Sequence, residues 1–298
     1  MRNFLLLLSL SLTSTSAMAT TMVISSRPLF DMINQVKTDD LQLHLIAQNS
    51  DTHSTDLLPK DKLLINESDA LLAIEPFDVA LIKAAQQLDK KVIVLNDLSE
   101  HILPIRLEGH NHEHEHEDEH NHEDHEHNHE DDHGHEHSGD DPHFWLSPVV
   151  VQDIIAYLSK QDGHYIDDSK YHQFLADIRD YQQRVTKEIQ PHWIVYHDGW
   201  QYLENYFGFA APLFFTQNPQ GLIRPDDYKK VQTKIKDEHI RCIIIEPQTP
   251  KRVASRFKEA ANIEAITLDP TGRTAPKNVN SLYWIWDSYI TAAQKCSQ

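Results

Sequence analysis

The sequence predicts an α/β protein of two βα lobes, each a parallel sheet under helices, with a metal cleft between the lobes and one long connecting helix. Three observations carry this. Strand-like and helix-like stretches alternate from Met22 to Leu95 and again from Trp193 to Leu268. A stretch with helical spacing of apolar residues lies between the two halves. The first half also contains a tract of His, Glu and Asp, from Glu108 to Asp141, whose side chains are metal ligands by type.

The chain opens with Met1-Arg2-Asn3, an apolar run from Phe4 to Leu12, and Ala17-Met18-Ala19. A short charged start, an apolar run and an A-x-A site make a signal peptide over residues 1–19, cleaved after Ala19. The run is far shorter than the ~20 residues that cross a bilayer, and no cysteine nearby could take a lipid. The mature protein is therefore expected to be soluble and exported. It divides into an N-terminal lobe (20–166), a connecting helix (167–190) and a C-terminal lobe (191–298).

In the first lobe Met22–Leu29 reads as a strand, and the alternation Leu-Gln-Leu-His-Leu-Ile-Ala at 41–47 as a second. A polar loop at 48–55 carries His53. A helix is expected at 57–66, a buried strand at 70–75 ended by Pro76, an amphipathic helix at 77–88 and a strand at 91–95. Beyond the acidic tract, Ser147 and Pro148 look like the N-cap and first residue of a helix reaching Leu158. From 167 to 190, Tyr171, Phe174, Leu175, Ile178, Tyr181, Val185 and Ile189 keep helical spacing, as a rigid connector would. The second lobe repeats the alternation, with strands at 193–196, 211–215, 241–245 and 264–268. Its helices fall at 198–206, 225–236, 251–261 and 278–295. Strands alternating with helices imply parallel sheets covered on both faces.

The tract at 108–141 holds twelve histidines (His110, His112, His114, His116, His120, His122, His125, His127, His129, His133, His135, His137), fifteen acidic residues and no Lys or Arg. It has too few apolar residues to offset the entropy of ordering. Many of its histidines sit two apart, on one side of an extended chain. It reads as a low-affinity metal-collecting tether, against the blander reading of a charged spacer. His-Glu-x-x-His occurs four times in it. That pattern makes a zinc protease only on a helix lining a shaped cleft, so a protease is discounted.

The net charge is −19, and the tether supplies most of it. The remainder is mildly acidic, without the basic footprint of a nucleic-acid binder. Two cysteines, Cys242 and Cys296, are most simply one disulfide in an oxidising compartment, and their spacing gives no zinc-ligand pattern.

An ordered metal site is expected from His53, His143 and His197, which fall beyond strands or in connecting loops, and from Asp269, which follows the last strand. Ligands of open α/β sheets bind outside the carboxyl ends of the strands. Three imidazoles with one carboxylate or a water satisfy tetrahedral zinc. His44, His101, His164, His172, His192 and His239 have no partner pattern and are read as structural or surface residues.

With these residues in place, the chain resembles the periplasmic substrate-binding proteins of metal-uptake ABC transporters, and among them the zinc-uptake receptors. Asp141-Pro142-His143-Phe144-Trp145-Leu146-Ser147-Pro148 is similar to the family's second-histidine motif after its His-rich loop. Tyr196-His197-Asp198, with Tyr202 and Phe207-Gly208, is similar to the third. Glu246-Pro247-Gln248 and Thr267-Leu268-Asp269-Pro270 match further pieces, and Cys242 and Cys296 stand where zinc members carry a disulfide. The resemblance implies a monomeric receptor that binds Zn2+ between lobes of little relative motion and delivers it to an inner-membrane ABC permease. At the first histidine the chain departs from the family: Thr52 stands where some zinc members have glutamate. Asp269 or water is then expected in the fourth position, with Glu75 an outside candidate. The alternatives are a manganese or iron receptor, a passive zinc buffer, and a hydrolytic zinc enzyme. Manganese and iron members typically use two histidines and two carboxylates and lack the long tether. The enzyme reading lacks a nucleophile motif or general base.

Overall fold

The computed structural model describes residues 19–46, 57–106, 139–217, 225–261 and 263–297. In the first lobe, β1 (Thr20–Ile24), α1 (Arg27–Val36), β2 (Leu41–Leu45), α2 (Pro59–Glu67), β3 (Ala70–Ala73), α3 (Val79–Gln87) and β4 (Lys91–Val94) follow in order, and α4 (Pro148–Ser159) closes it. The next helix, α5 (Asp168–Arg184), leads to the second lobe. There β5 (Trp193–His197), α6 (Gln201–Phe207), β6 (Leu213–Thr216), α7 (Pro225–Asp237), β7 (Cys242–Ile245), α8 (Lys251–Ala261), β8 (Glu264–Thr267) and α9 (Ser281–Cys296) complete the chain.

The two sheets share one topology. Each has four strands, ordered β2-β1-β3-β4 and β6-β5-β7-β8, and every strand pairing is parallel. In each sheet the chain steps outward one way and then crosses back. That reversal opens a crevice beyond the carboxyl ends of β1 and β3 in one lobe, and of β5 and β7 in the other.

Apolar runs such as Trp193-Ile194-Val195-Tyr196 are explained by a core on each face. Trp193 and Val195 join a large central core, and Ile194 and Tyr196 join the outer one. In β3, Ala70 and Leu72 face the central core while Leu71 and Ala73 face the outer core. The central core draws on both lobes, so the lobes share buried surface instead of meeting at a thin hinge.

Helix α5 is part of that shared core. Phe174, Ile178 and Tyr181 are buried, and Tyr181 stacks on Tyr283 of α9 with centroids 5.6 Å apart. Tyr283 donates to Asp177 at 2.7 Å. The expected helix at 167–190 is shorter than its apolar spacing implied. It starts on Asp167, whose carboxylate accepts from Ser169 and Lys170, and ends at Arg184, where Val185 turns extended. The β-branched pair Val185-Thr186 and then Pro191 favour that exit.

The strand expected at 22–29 is instead a strand and a helix. Ser26 caps α1, accepting from the Leu29 N–H, with Pro28 in the first turn. This is the usual start signal, and it directly follows the apolar Met22-Val23-Ile24. The helix expected at 198–206 begins only at Gln201, leaving Asp198 to Trp200 as a turn at the end of β5.

The lobes are also fastened by polar contacts. The Arg27 guanidinium donates to the carbonyls of Gly272, Arg273, Ala275 and Pro276 at 2.8–3.2 Å. Trp145 Nε1 donates to Pro270 O at 2.8 Å, and Trp286 Nε1 to Leu146 O at 3.1 Å. Gly272 has φ +65°, and a Cβ there would lie 2.7 Å from that of Ser281, so glycine is required.

Cys242 and Cys296 form the disulfide, with Cα atoms 5.9 Å apart. It ties the start of β7 to the end of α9, and both residues are buried. Free-thiol labelling of the native protein should therefore find none. Replacing both cysteines with serine should lower stability by up to about 4 kcal/mol, the chain-entropy value for a loop of this length, in denaturant unfolding. Two reactive thiols in native protein would contradict the pairing.

Candidate metal centre

His197 is the last residue of β5, and Glu246 follows the last residue of β7. These are the two strands that flank the reversal in the second sheet. His197 Nδ1 lies 2.6 Å from Glu246 Oε1. Glu246 is itself held by its N–H donating to Thr249 Oγ1 at 3.0 Å and by Gln248 Nε2 donating to its other oxygen.

His143 reaches the same place from the first lobe, in the turn before α4. Asp141 Oδ1 accepts from the His143 N–H at 3.0 Å and lies 2.7 Å from His143 Nδ1. Phe77 packs edge-on to the imidazole at 5.9 Å, and Trp145 is tilted against it at 5.5 Å. Ser147 accepts from the Val150 N–H and Pro148 opens α4, as expected.

The two rings stand T-shaped with centroids 5.0 Å apart, both buried. Each Nδ1 faces a carboxylate. With that nitrogen donating, the lone pair sits on Nε2, the tautomer a metal ligand needs. Gly199 makes the approach possible. A Cβ there would lie 3.0 Å from Cε1 and Nδ1 of His197 and 3.4 Å from His143 Nε2. Burial works to lower the His143 pKa, but Asp141, with Glu246 and Asp198 beyond it, outweighs burial and holds it above the ordinary histidine value. These carboxylates give the pair of rings an anionic field that suits a cation.

The segment entering the His-rich tract is paired with the segment leaving it. Ile105 N–H donates to Gly139 O at 2.8 Å and Asp141 N–H to Leu103 O at 2.7 Å, around an antiparallel bridge between Pro104 and Asp140. Helix α6 of the other lobe holds this stem. Tyr202 accepts from the Leu103 N–H at 3.0 Å and donates to Asp141 O at 2.8 Å. Gln201 Nε2 donates to Pro104 O at 3.0 Å.

The stem ends in a buried ionic group. Arg106 forks onto both oxygens of Asp198, with Nε 3.1 Å from Oδ2, and donates to Glu204 Oε2 at 2.6 Å. Burial opposes the guanidinium charge, but the two carboxylates outweigh it and raise its pKa. One cation serves two buried acids. Burial pushes Glu204 up to about 7 from 4.5, although Arg106 pulls it down.

Asp269 is buried, and its carboxylate organises its own loop. Oδ1 accepts from the N–H and hydroxyl of Thr271 at 3.0 and 2.6 Å. Oδ2 accepts from the N–H and hydroxyl of Thr274 at 2.7 and 2.8 Å. Glu75 is exposed, and its backbone pairs with the Asn96 side chain. His53 and the twelve tether histidines lie outside the described residues. The chain leaves β2 at Ile46, on the carboxyl edge of the first sheet, on its way to His53. Among the described residues, no group of three or more His, Cys, Asp or Glu is arranged to hold a metal ion. The structure thus brings two of the expected ligands together.

Sequence reasoning had no role for Asp141, counted among the tether acids, or for Glu246, seen only as part of a motif. Their signals were the Asp-Pro-His spacing and an acid directly after an apolar strand. Arg106, Asp198 and Glu204 gave no signal as a group, because the arginine lies about ninety residues before the two acids.

A family model described as "ZnuA: Zinc-uptake complex component A periplasmic" matches residues 22–296. The chain belongs to that family. Its members are the zinc-binding receptors of ABC uptake systems, which capture Zn2+ and deliver it to the permease, and they are not a class of enzyme. The high-affinity zinc uptake system protein ZnuA of Yersinia pestis is 24% identical over 245 residues, covering 76% of this chain and 75% of that one. The protein of the same name from Brucella abortus is 28% identical over 144 residues, covering 44% and 42%. A crystal structure of ZnuA superposes with TM-score 0.70 at 15% identity, covering 94% of this chain and all of that one. Zn(II)-bound AdcA from Streptococcus pneumoniae superposes with TM-score 0.62 at 15% identity, covering 93% of this chain and 58% of that one. These two likenesses carry the fold.

The ionic group predicts how the metal-free protein responds to pH. In the folded state Glu204 keeps its proton to about pH 7, whereas the unfolded chain loses it near 4.5. Stability from this group is present at acid pH, falls as pH rises through that window and is gone above it. Urea unfolding from pH 5 to 8 should show wild type losing about 2–3 kcal/mol more than Glu204→Gln. Parallel pH profiles for the two would rule this out.

Proposed function

We propose that the zinc carried by this receptor is held between the lobes by Nε2 of His143 and His197, with His53 as the third ligand. The observation that carries this reading is the pair of buried imidazoles, 5.0 Å apart and drawn from opposite lobes, each backed by a carboxylate. Carboxylate-backed imidazole fixes the tautomer and raises ligand basicity. His53 lies seven residues past Ile46, close enough along the chain to reach the cleft edge. Water completes the tetrahedron, since Asp269 would have to give up hydrogen bonds to Thr271 and Thr274 to serve as the fourth ligand. A manganese or iron receptor fits less well. Harder ions want carboxylate ligands, and here Asp141 and Glu246 are spent on imidazoles.

The protein works as an exported monomer after cleavage at Ala19, binds and releases zinc without chemical turnover, and meets its permease at the inner membrane. In protein lacking residues 110–137, His143→Ala or His197→Ala should weaken zinc binding by orders of magnitude in a chelator-competition titration, as loss of a direct ligand does. Asp269→Asn should change it little. A double histidine variant that held zinc as tightly as its parent would refute the site.

The His-rich tether supplies the site. Its imidazoles, with ordinary pKa values of about 6.5, lose metal to protons below that pH. Cells expressing the tether-deleted protein should grow and take up zinc more slowly when zinc is scarce, while the tight-site affinity is kept. Equal uptake at every zinc level and pH would leave the tether no part in delivery.

A further inference from the structure

Arg106 is the last described residue before the His-rich tract, and its side chain crosses to the other lobe. The Asp198 it grips directly follows His197, the end of β5. Asp198 is fixed from behind as well, its N–H donating to Thr216 O at 3.1 Å. On the Arg106 side, the stem is paired to Asp141, and Asp141 orients His143. A path of alternating hydrogen bonds and backbone therefore runs from one imidazole to the other: His143 to Asp141 and Asp141 to Leu103 by hydrogen bonds, along the chain to Arg106, across to Asp198 by the guanidinium fork, and through the peptide bond to His197. The fork geometry of guanidinium on carboxylate fixes distance and angle together, which an ammonium cannot. Gln217 adds to the seam, donating from Nε2 to Arg106 O at 2.6 Å. The guanidinium also lies over Phe214, 5.8 Å from its ring centre.

We infer that Arg106 is a positioning residue of the zinc site, setting the spacing of His143 and His197 by locking the stem of the His-rich tract to the turn after β5. It touches no metal and acts through Asp198 and Asp141. The inference rests on the reading of His143 and His197 as ligands. It makes the stem part of the tight site, whatever the tract beyond it collects. If Arg106 merely neutralised two buried acids, lysine would restore everything that arginine does. If it positions, lysine restores folding and fails to restore the grip on zinc.

The test uses the full chain loaded with one equivalent of zinc and challenged with excess chelator, reading the slow phase of release. Thermal unfolding of the metal-free protein is the control. Arg106→Lys should leave that unfolding unchanged and speed slow-phase release by about tenfold or more, the usual cost of losing a partner behind a metal ligand. With cobalt(II) in place of zinc, its visible spectrum should also change, reporting altered ligand geometry. Tyr202→Phe removes the two hydrogen bonds of the Tyr202 hydroxyl, to Leu103 and Asp141, and keeps that of Gln201 to Pro104. It should speed release by a smaller factor, and it serves as the deciding variant if Arg106→Lys does not fold. Unchanged release in a folded Arg106→Lys, or in Tyr202→Phe where that variant decides, would overturn the positioning role. His143→Ala should abolish the slow phase. If it did not, the site assignment itself would fall, which is a separate outcome.

Discussion

Which nitrogen of a buried imidazole carries the proton is the constraint on which the site depends. A free histidine leaves that undecided, and a ring that can flip or change tautomer is a poor ligand. In both lobes a carboxylate settles it, Asp141 for His143 and Glu246 for His197. Much of the local architecture serves those two hydrogen bonds. Gln248 and Thr249 hold Glu246. Tyr202 and the paired stem hold Asp141. Phe77 and Trp145 wall in the His143 ring, and Gly199 leaves room for both rings.

Two imidazoles held 5.0 Å apart from opposite lobes need lobes that keep their places. The central core runs through both sheets and α5. Arg27 gathers four carbonyls of the loop before α9, and that loop is shaped by Asp269 through Thr271 and Thr274. Asp269 so placed fixes the seam beside the site.

The alternation of strands and helices was legible because both faces of each sheet are covered, which produces apolar runs separated by amphipathic helices. The α4 cap at Ser147-Pro148 was legible from two residues. Helix α1 was missed because the strand was carried from Met22-Val23-Ile24 across Ser25-Ser26-Arg27-Pro28 to Leu29, past the cap and proline that start the helix. The connector was drawn too long because Val185 and Ile189 keep the helical period after the backbone has left the helix. His143 and His197, which the structure brings together, were singled out from their positions at or beyond strand ends and from motifs. Their partners were not, since an Asp at the end of an acidic tract and an Arg far from its acids look like ordinary surface charge until the chain is folded.

The disulfide has a consequence for coordination chemistry. Zinc is thiophilic, and two thiolates would compete with neutral imidazoles for the ion. The chain has only two cysteines, and they are joined to each other, buried, at the opening of the same strand whose far end leads to Glu246. Oxidation thus removes every thiol from a molecule that must let its cargo go. It leaves nitrogen and oxygen donors, which protons and a second carrier can displace without any change of redox state.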